Sequence, residues 1–211
     1  MDDRLTELTV RNMVERLATS DPAPGGGSAS ALAGAMAAAL VRMVVELTAP
    51  RVKSAAEADA LVDIGGSATM WQSELLNLAE LDANAYRAVV EARRLPRGTE
   101  LERQARDVQV AAAMREATRA PLEIIRAASA VLELAERLAP IGTRNAISDV
   151  GVGGMLATTS ARGAALNVRI NLPYVQDSEL QADATTTLEA LLPGLADRER
   201  ALDSIVAERM A

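Results

Sequence analysis

The 211-residue sequence contains no cysteine, no histidine and no phenylalanine. Without cysteine, the chain cannot form a disulfide, use a thiolate nucleophile or bind a metal through sulfur. Without histidine, it cannot use a Ser-His-Asp triad, imidazole metal ligands or an imidazole proton shuttle. Acid–base chemistry is therefore left to carboxylates, tyrosines, the single lysine at Lys53, the amino terminus and water.

Aromatic residues, basic segments and long apolar runs are also scarce. Aromatics make up 1% of the chain, which argues against a β-sandwich or β-barrel, whose strands favour aromatic side chains. The net charge is −7 and no basic block occurs, so nucleic acids and anionic membranes are poor candidates as partners. The longest apolar run, 29–41, is shorter than the ~20 residues that span a bilayer. We expect a cytoplasmic protein.

Apolar residues, 49% of the chain, recur at helical spacing along nearly the whole sequence, with breaks at proline and glycine. Seven helices are predicted, at about 6–18, 28–48, 54–94, 99–138, 143–168, 178–192 and 196–210. No strand pattern, internal repeat or linker composition interrupts them. We therefore predict an all-α fold, a bundle of long antiparallel helices formed by a single domain over residues 1–211.

The second and fifth predicted helices indicate an oligomer. The second is apolar on nearly all sides, and the fifth carries many small residues that allow close helix contact. One chain offers little to cover every apolar face of such helices. We expect a homodimer packed across a two-fold axis, and a monomeric bundle is the alternative.

A candidate binding loop opens the second predicted helix. It consists of Gly25, Gly26, Gly27 and Ser28. Consecutive glycines let backbone N–H groups approach a ligand, and a helix N-terminus favours an anion. The loop is neither a P-loop nor a dinucleotide fingerprint, because it lacks the lysine of the first and the preceding strand of the second. The alternative is a tight turn with Ser28 as the N-cap.

Asp82 is the candidate catalytic residue. On the third helix, it shares a face with apolar neighbours, namely Leu75, Leu78, Ala85, Tyr86 and Val89. Burial there would raise the pKa of the carboxyl and prepare it for proton transfer. The alternative is a structural acid, hydrogen-bonded to a neighbouring helix or to Tyr86.

The fifth predicted helix carries the remaining polar candidates. Asn145, Ser148 and Asp149 lie in its first turn, and Asn167 lies further along one face. Asp149 also has a complete structural explanation, since a carboxylate near a helix N-terminus stabilises the helix dipole. With no cysteine or histidine, we expect no metal site.

Five sequence blocks, in order along nearly the whole chain, resemble the cyclodeaminase/cyclohydrolase family. This family includes the C-terminal domain of formimidoyltransferase-cyclodeaminase and free-standing bacterial methenyltetrahydrofolate cyclohydrolases. The blocks are Pro22–Ser28, Leu81–Tyr86, Thr118–Glu123, Asn145–Val152 and Arg162–Asn171.

The resemblance implies an all-α fold that dimerises, a folate substrate and a catalytic acid at Asp82. No fixed cofactor is expected, because the tetrahydrofolate derivative is the substrate. Nothing precedes Met1, so we expect the cyclohydrolase reaction, from 5,10-methenyltetrahydrofolate to 10-formyltetrahydrofolate. The alternatives are a cyclodeaminase that releases ammonia from 5-formiminotetrahydrofolate, and a non-catalytic helical dimer that binds folate or a protein partner. Expected substrate-binding residues are Gly25, Gly26, Gly27, Ser28, Tyr86, Asn145, Ser148, Asp149 and Asn167.

Overall fold

A computed structural model describes residues 4–211, and the first three residues of the predicted domain lie outside this range. Its helices are α1 (Val10–Leu17), α2 (Gly26–Thr48), α3 (Ala55–Arg94), α4 (Glu100–Leu138), α5 (Ile147–Asn171), α6 (Ser178–Leu191) and α7 (Leu195–Met210). Residues 4–211 contain no strand, which confirms the all-α prediction. The assignment of residues 1–211 to a single domain stays a prediction.

Helix α4 begins where its sequence predicts. The Thr99 side chain accepts a hydrogen bond from the backbone N–H of Glu102 at 3.2 Å, and Glu102 accepts one from the backbone N–H of Thr99 at 2.8 Å. This reciprocal pair satisfies two N–H groups that lack partners at a helix start.

Helices α2 and α5 begin differently from the prediction. The N-cap of α2 is Gly25, so the alternative interpretation of Ser28 as the N-cap is wrong. Ser28 lies inside the first turn, where its hydroxyl contacts α3. A 3-10 turn at Arg144–Ala146 precedes α5, which begins at Ile147, so Asn145 lies in this turn and not in the first turn of the helix. The Thr143 hydroxyl accepts a hydrogen bond from Arg51 at 2.5 Å.

Helices α2 to α5 form an up-down-up-down four-helix bundle, in which α2 packs against α3, α4 and α5. By length and composition α2 could cross a bilayer, but more than half of it is buried inside the bundle. The core between the helices consists of branched aliphatic side chains and alanines. Its largest fully buried members include Leu61, Ile64, Leu75, Leu122, Ile124, Ile125, Leu132, Leu138 and Ile147.

Small residues bring α2 and α5 into close contact. Gly34 of α2 faces Ser160 of α5, and Gly163 of α5 faces Ser30 of α2. A Cβ atom on Gly34 would lie 2.8 Å from the Ser160 hydroxyl oxygen, which is closer than real Cβ atoms approach. These pairs fix the level at which the two antiparallel helices meet, and so fix which parts of each lie near Asp82.

Helices α6 and α7 cover the outer sides of α4 and α5. The Arg198 guanidinium of α7 donates two hydrogen bonds of 2.8 Å to Glu136 of α4. One outer face of α2 and α5 stays exposed and is mostly apolar, with Thr159 and Arg162 as exposed polar residues among its members, and we call it the α2/α5 face. Its exposed apolar residues are Met36, Met43, Leu47, Val152, Met155, Leu166 and Ile170.

Candidate active site

Asp82 lies on α3 opposite the first turn of α2. The Ser28 hydroxyl donates a hydrogen bond of 2.9 Å to Oδ2 of Asp82. In this first turn, the backbone N–H groups of Gly26, Gly27 and Ser28 have no carbonyl partner within the helix. Since these groups give a helix N-terminus a partial positive charge, the Asp82 carboxylate sits at the positive end of α2.

Gly27 makes room for the Asp82 carboxyl. A Cβ atom at position 27 would lie 2.5 Å from Cγ and 2.6 Å from Oδ2 of Asp82. At Gly26 the nearest atom to such a Cβ is Nδ2 of Asn167, at 3.8 Å, an ordinary contact. Of these two adjacent glycines, Gly27 is therefore the one that the position of Asp82 requires.

Burial raises the pKa of Asp82 above its ordinary value, while the hydroxyl and the backbone N–H of Ser28 lower it in part. The apolar face of α3 around Asp82 is the physical cause, because a charged carboxylate loses hydration there. A raised pKa makes the protonated form of the carboxyl easier to populate, so that one group can accept a proton and later release it during turnover. Of the two partners proposed for Asp82 from the sequence, the neighbouring helix is the one it bonds to.

Tyr86 and Asn167 lie at the same end of the bundle as Asp82. Tyr86 follows Asp82 by one helical turn on the same face of α3 and is 44% exposed, so its ring is accessible to solvent near this site. Asn167 lies beside Gly26, and its side-chain amide donates to the carbonyl of Gly163 at 3.1 Å. The structure thus brings the glycine loop, Asp82, Tyr86 and Asn167 together.

Asn145, Ser148 and Asp149 lie at the opposite end of the bundle. Helix α5 runs antiparallel to α2, and its start is held near the end of α2 by a 2.9 Å hydrogen bond from the Thr143 N–H to Thr48. From Asp149 at this end to Asn167 at the level of Asp82, helix α5 rises about 27 Å at 1.5 Å per residue. Within one chain, the structure does not join these three residues to the rest.

Ser28 is fully buried, so its side chain supports Asp82 rather than facing a ligand. Five surface grooves of about 200 to 580 Å³ are lined by residues other than Asp82. One of them, about 430 Å³, is apolar and lies between α1, α2 and α3 beside Met36. Within residues 4–211, no cluster of three or more aspartates or glutamates is arranged to hold a metal ion.

Comparisons with known proteins match nearly the whole chain. The sequence profile of the family described as Formiminotransferase-cyclodeaminase matches residues 9–190. A methenyltetrahydrofolate cyclohydrolase from Methylorubrum extorquens is 38% identical over 185 residues, which are 87% of this chain and 88% of that protein. The formimidoyltransferase-cyclodeaminase of Mus musculus is 28% identical over 191 residues, 90% of this chain but 35% of the mouse protein.

A solved structure supports the fold. The crystal structure of formiminotetrahydrofolate cyclodeaminase from Thermotoga maritima covers 97% of this chain and 96% of its own, with a TM-score of 0.77 at 24% sequence identity.

Proposed function

The chain belongs to the formiminotransferase-cyclodeaminase family, and we propose that it hydrolyses 5,10-methenyltetrahydrofolate to 10-formyltetrahydrofolate. The observation that carries this proposal is Asp82, a partly buried carboxyl with a raised pKa at the positive end of α2. The match to a cyclohydrolase over 88% of that relative's length supports this choice of reaction.

The chemistry needs a base and then an acid at one place. The methenyl carbon, between N5 and N10 of the substrate, is electrophilic. Ionised Asp82 takes a proton from a water molecule as the water oxygen bonds to this carbon. Protonated Asp82 then donates to N5 as the carbon–N5 bond breaks, and the hydroxyl on the carbon loses its proton to solvent. The formyl group stays on N10, and Asp82 returns to its ionised form.

Residues around Asp82 are proposed to bind the substrate. Tyr86 lies one turn from Asp82 on α3, the side-chain amide of Asn167 lies beside Gly26, and the backbone of Gly25 and Gly26 is partly exposed. These neutral groups can orient the pterin without competing for the proton of Asp82. The tetrahydrofolate derivative is the substrate, and the proposal includes no resident cofactor.

We also propose a homodimer formed through the α2/α5 face. Leu166 is 64% exposed and Ile170 is 69% exposed on this face, and Met36 is 54% exposed. The helices offer a surface about 35 Å long and about 20 Å wide, or roughly 700 Å², close to the ~800 Å² that each partner buries in a standard interface. A second copy is the occupant that an isologous two-fold axis provides.

The position of the two-fold axis would decide what the partner adds to the site. Met36 lies midway between the level of Asp82 and the level at which α5 begins. A two-fold axis that crosses the face at Met36, perpendicular to α2 and α5, exchanges these two levels. It would carry Asn145, Ser148 and Asp149 of the partner subunit to the level of Asp82, and so reunite the residues that one chain separates.

The proposed reaction is tested by the loss of absorbance of 5,10-methenyltetrahydrofolate with purified protein. We expect Asp82→Asn to reduce turnover about 10²-fold or more, because it keeps the shape of the side chain and removes its proton transfer. Asp59→Asn is the control, since Asp59 is an exposed acid on the same helix. Wild-type turnover at the spontaneous rate, or full turnover by Asp82→Asn, would contradict the proposal.

Cyclodeamination is the second candidate, because the mouse formimidoyltransferase-cyclodeaminase aligns with 90% of this chain. Ammonia release from 5-formiminotetrahydrofolate by the same protein measures it. Turnover of this substrate alone would replace the hydrolase proposal. Turnover of neither substrate, with a melting temperature raised by folates, would indicate a binding protein.

The dimer is tested by sedimentation and by complementation. We expect Met36→Asp to yield a monomer, and Val62→Asp, an equally drastic change of an exposed residue on α3, to leave the dimer intact. If the site is shared, Asp82→Asn and Asp149→Asn proteins, each inactive alone, should recover about a quarter of wild-type activity when unfolded and refolded together. No recovery would refute the shared site.

A further inference from the structure

The Ser28 hydroxyl has two acceptors but one proton. Its oxygen lies 2.9 Å from Oδ2 of Asp82 and 3.1 Å from the backbone carbonyl oxygen of Ala79, one turn earlier on α3. Ser28 and Ala79 are both fully buried. Since a hydroxyl donates one hydrogen bond and can accept another, Ser28 cannot satisfy both oxygens as a donor at the same time.

We propose that Ser28 is a positioning residue whose hydroxyl changes partner with the protonation of Asp82, so that the carboxyl stays hydrogen-bonded both as a base and as an acid. The inference rests on the proposed function in that it concerns the two protonation states that the reaction needs.

Each protonation state has a complete hydrogen-bond arrangement at the observed positions. With Asp82 ionised, Ser28 donates to Oδ2, and the Ala79 carbonyl keeps its partner within α3. With Asp82 protonated and no substrate bound, Oδ2 donates to the Ser28 oxygen, and the Ser28 hydroxyl turns to the second lone pair of the Ala79 carbonyl. When N5 of the substrate takes this proton, Ser28 donates to Oδ2 again. No heavy atom has to move, and the one covalent change is the O–H bond that forms on Oδ2 when Asp82 is protonated.

The backbone N–H groups in the first turn of α2 cannot hydrogen-bond to both protonation states of Asp82 in this way. They only donate, so they favour the ionised carboxylate alone. Beside Asp82, α2 presents the uncharged Gly27 and Ser28, α3 carries Tyr86 one turn further on, and α5 places Asn167 next to Gly26. Of the described hydrogen-bond partners of Asp82, the Ser28 hydroxyl is the one that both donates and accepts.

The first test titrates Asp82 without substrate. The ¹³Cγ resonance of its carboxyl, assigned by its absence in Asp82→Asn, is followed against pH in wild type, Ser28→Ala and Ser28→Thr. We expect the midpoint to rise by about one pH unit in Ser28→Ala, because the ionised form loses a stronger hydrogen bond than the protonated form does, and to return toward wild type in Ser28→Thr.

Ser30→Ala is the matched control. Ser30 lies one half-turn further along α2, is buried, and donates to the Gly26 carbonyl at 2.7 Å. Its loss removes a hydroxyl from the same helix without touching an ionisable group, so the midpoint of Asp82 should not move. An unchanged midpoint in Ser28→Ala, or an equal shift in Ser30→Ala, would overturn the inference.

The second test separates kcat from KM. Because buried Ser28 does not contact substrate, Ser28→Ala should lower kcat at least tenfold, leave KM nearly unchanged and move the acidic limb of the pH profile upward, with recovery in Ser28→Thr. Full kcat in Ser28→Ala would overturn the inference. A shifted midpoint in a protein that turns over neither folate would support the exchange of partners and refute the proposed reaction.

Discussion

Gly27→Ala should displace the catalytic carboxyl while keeping every catalytic group. The new Cβ would overlap Oδ1 of Asp82 and lie 2.5 Å from its Cγ, so Asp82 must retreat by at least about 0.9 Å to reach ordinary contact at 3.4 Å. That movement lengthens the 2.9 Å hydrogen bond from Ser28. Since a misplacement of about 1 Å can cost 10²-fold in rate, we expect kcat/KM for 5,10-methenyltetrahydrofolate to fall about 10²-fold.

The stability change should be smaller than the activity change. Alanine is favoured over glycine in a helix by about 0.5–1 kcal/mol, whereas a lost hydrogen bond to a charged group costs about 1.5–3 kcal/mol. We therefore expect Gly27→Ala to lower the free energy of unfolding by about 1–2 kcal/mol, measured by urea denaturation.

Gly26→Ala is the internal control for this prediction. Its Cβ meets nothing closer than 3.8 Å and leaves Asp82 in place, so the variant should keep the wild-type kcat and gain up to about 1 kcal/mol of stability. Any loss should be confined to KM, because Gly26 is proposed to contact the substrate. Equal activity of Gly27→Ala and wild type would refute the reasoning, because the carboxyl would then not need its observed place. Equal losses in both variants would refute it too, since the loop rather than Asp82 would be responsible.

Three further predictions concern the bundle and its charges. Gly34→Ala should destabilise the fold by about 1–3 kcal/mol in urea, because its Cβ would lie 2.8 Å from the facing serine of α5, whereas Gly66→Ala meets nothing and should be neutral or stabilising. Because the pKa of Asp82 is raised from 3.8 in the folded state, the folded protein binds this proton more readily than the unfolded one. The free energy of unfolding of wild type, measured by urea titration, should therefore fall relative to that of Asp82→Asn as pH rises from 3.8 through the folded-state pKa. Glu80→Ala removes the acceptor of two hydrogen bonds from Thr6, at 2.8 and 3.0 Å, and should speed hydrogen exchange in the segment before α1.

The helices could be predicted because their signals are local. Breakers such as Pro50 and Gly98 mark the ends of long periodic segments, and the capping box at Thr99 depends on residues three apart. The start of α2 could not be predicted in the same way. Gly25 offers no side chain to cap it, and the carboxylate beside its first turn comes from residue 82, on another helix.

The candidate site shows the same division. Asp82 could be singled out because a lone carboxylate on an apolar helical face is unusual whatever it contacts. Its partner could not be singled out, since the pairing with Ser28 spans 54 residues of sequence. The sequence alone does not distinguish Gly26 from Gly27. The tertiary position of Asp82 shows that Gly27 is the residue that must lack a Cβ atom.

The separation of the two polar groups follows from the same packing that forms the site. The pairs Gly34–Ser160 and Gly163–Ser30 fix α2 and α5 in antiparallel register, and the rise of a helix then sets the distance between its ends. No side-chain rearrangement within one chain can therefore bring Asp149 to Asp82. Asp149 either has a local role, in which case it stabilises the start of α5 through the helix dipole, or it acts on the partner's site across the α2/α5 face. The mixed-dimer experiment separates these two roles, because a local role predicts no recovery of activity between subunits.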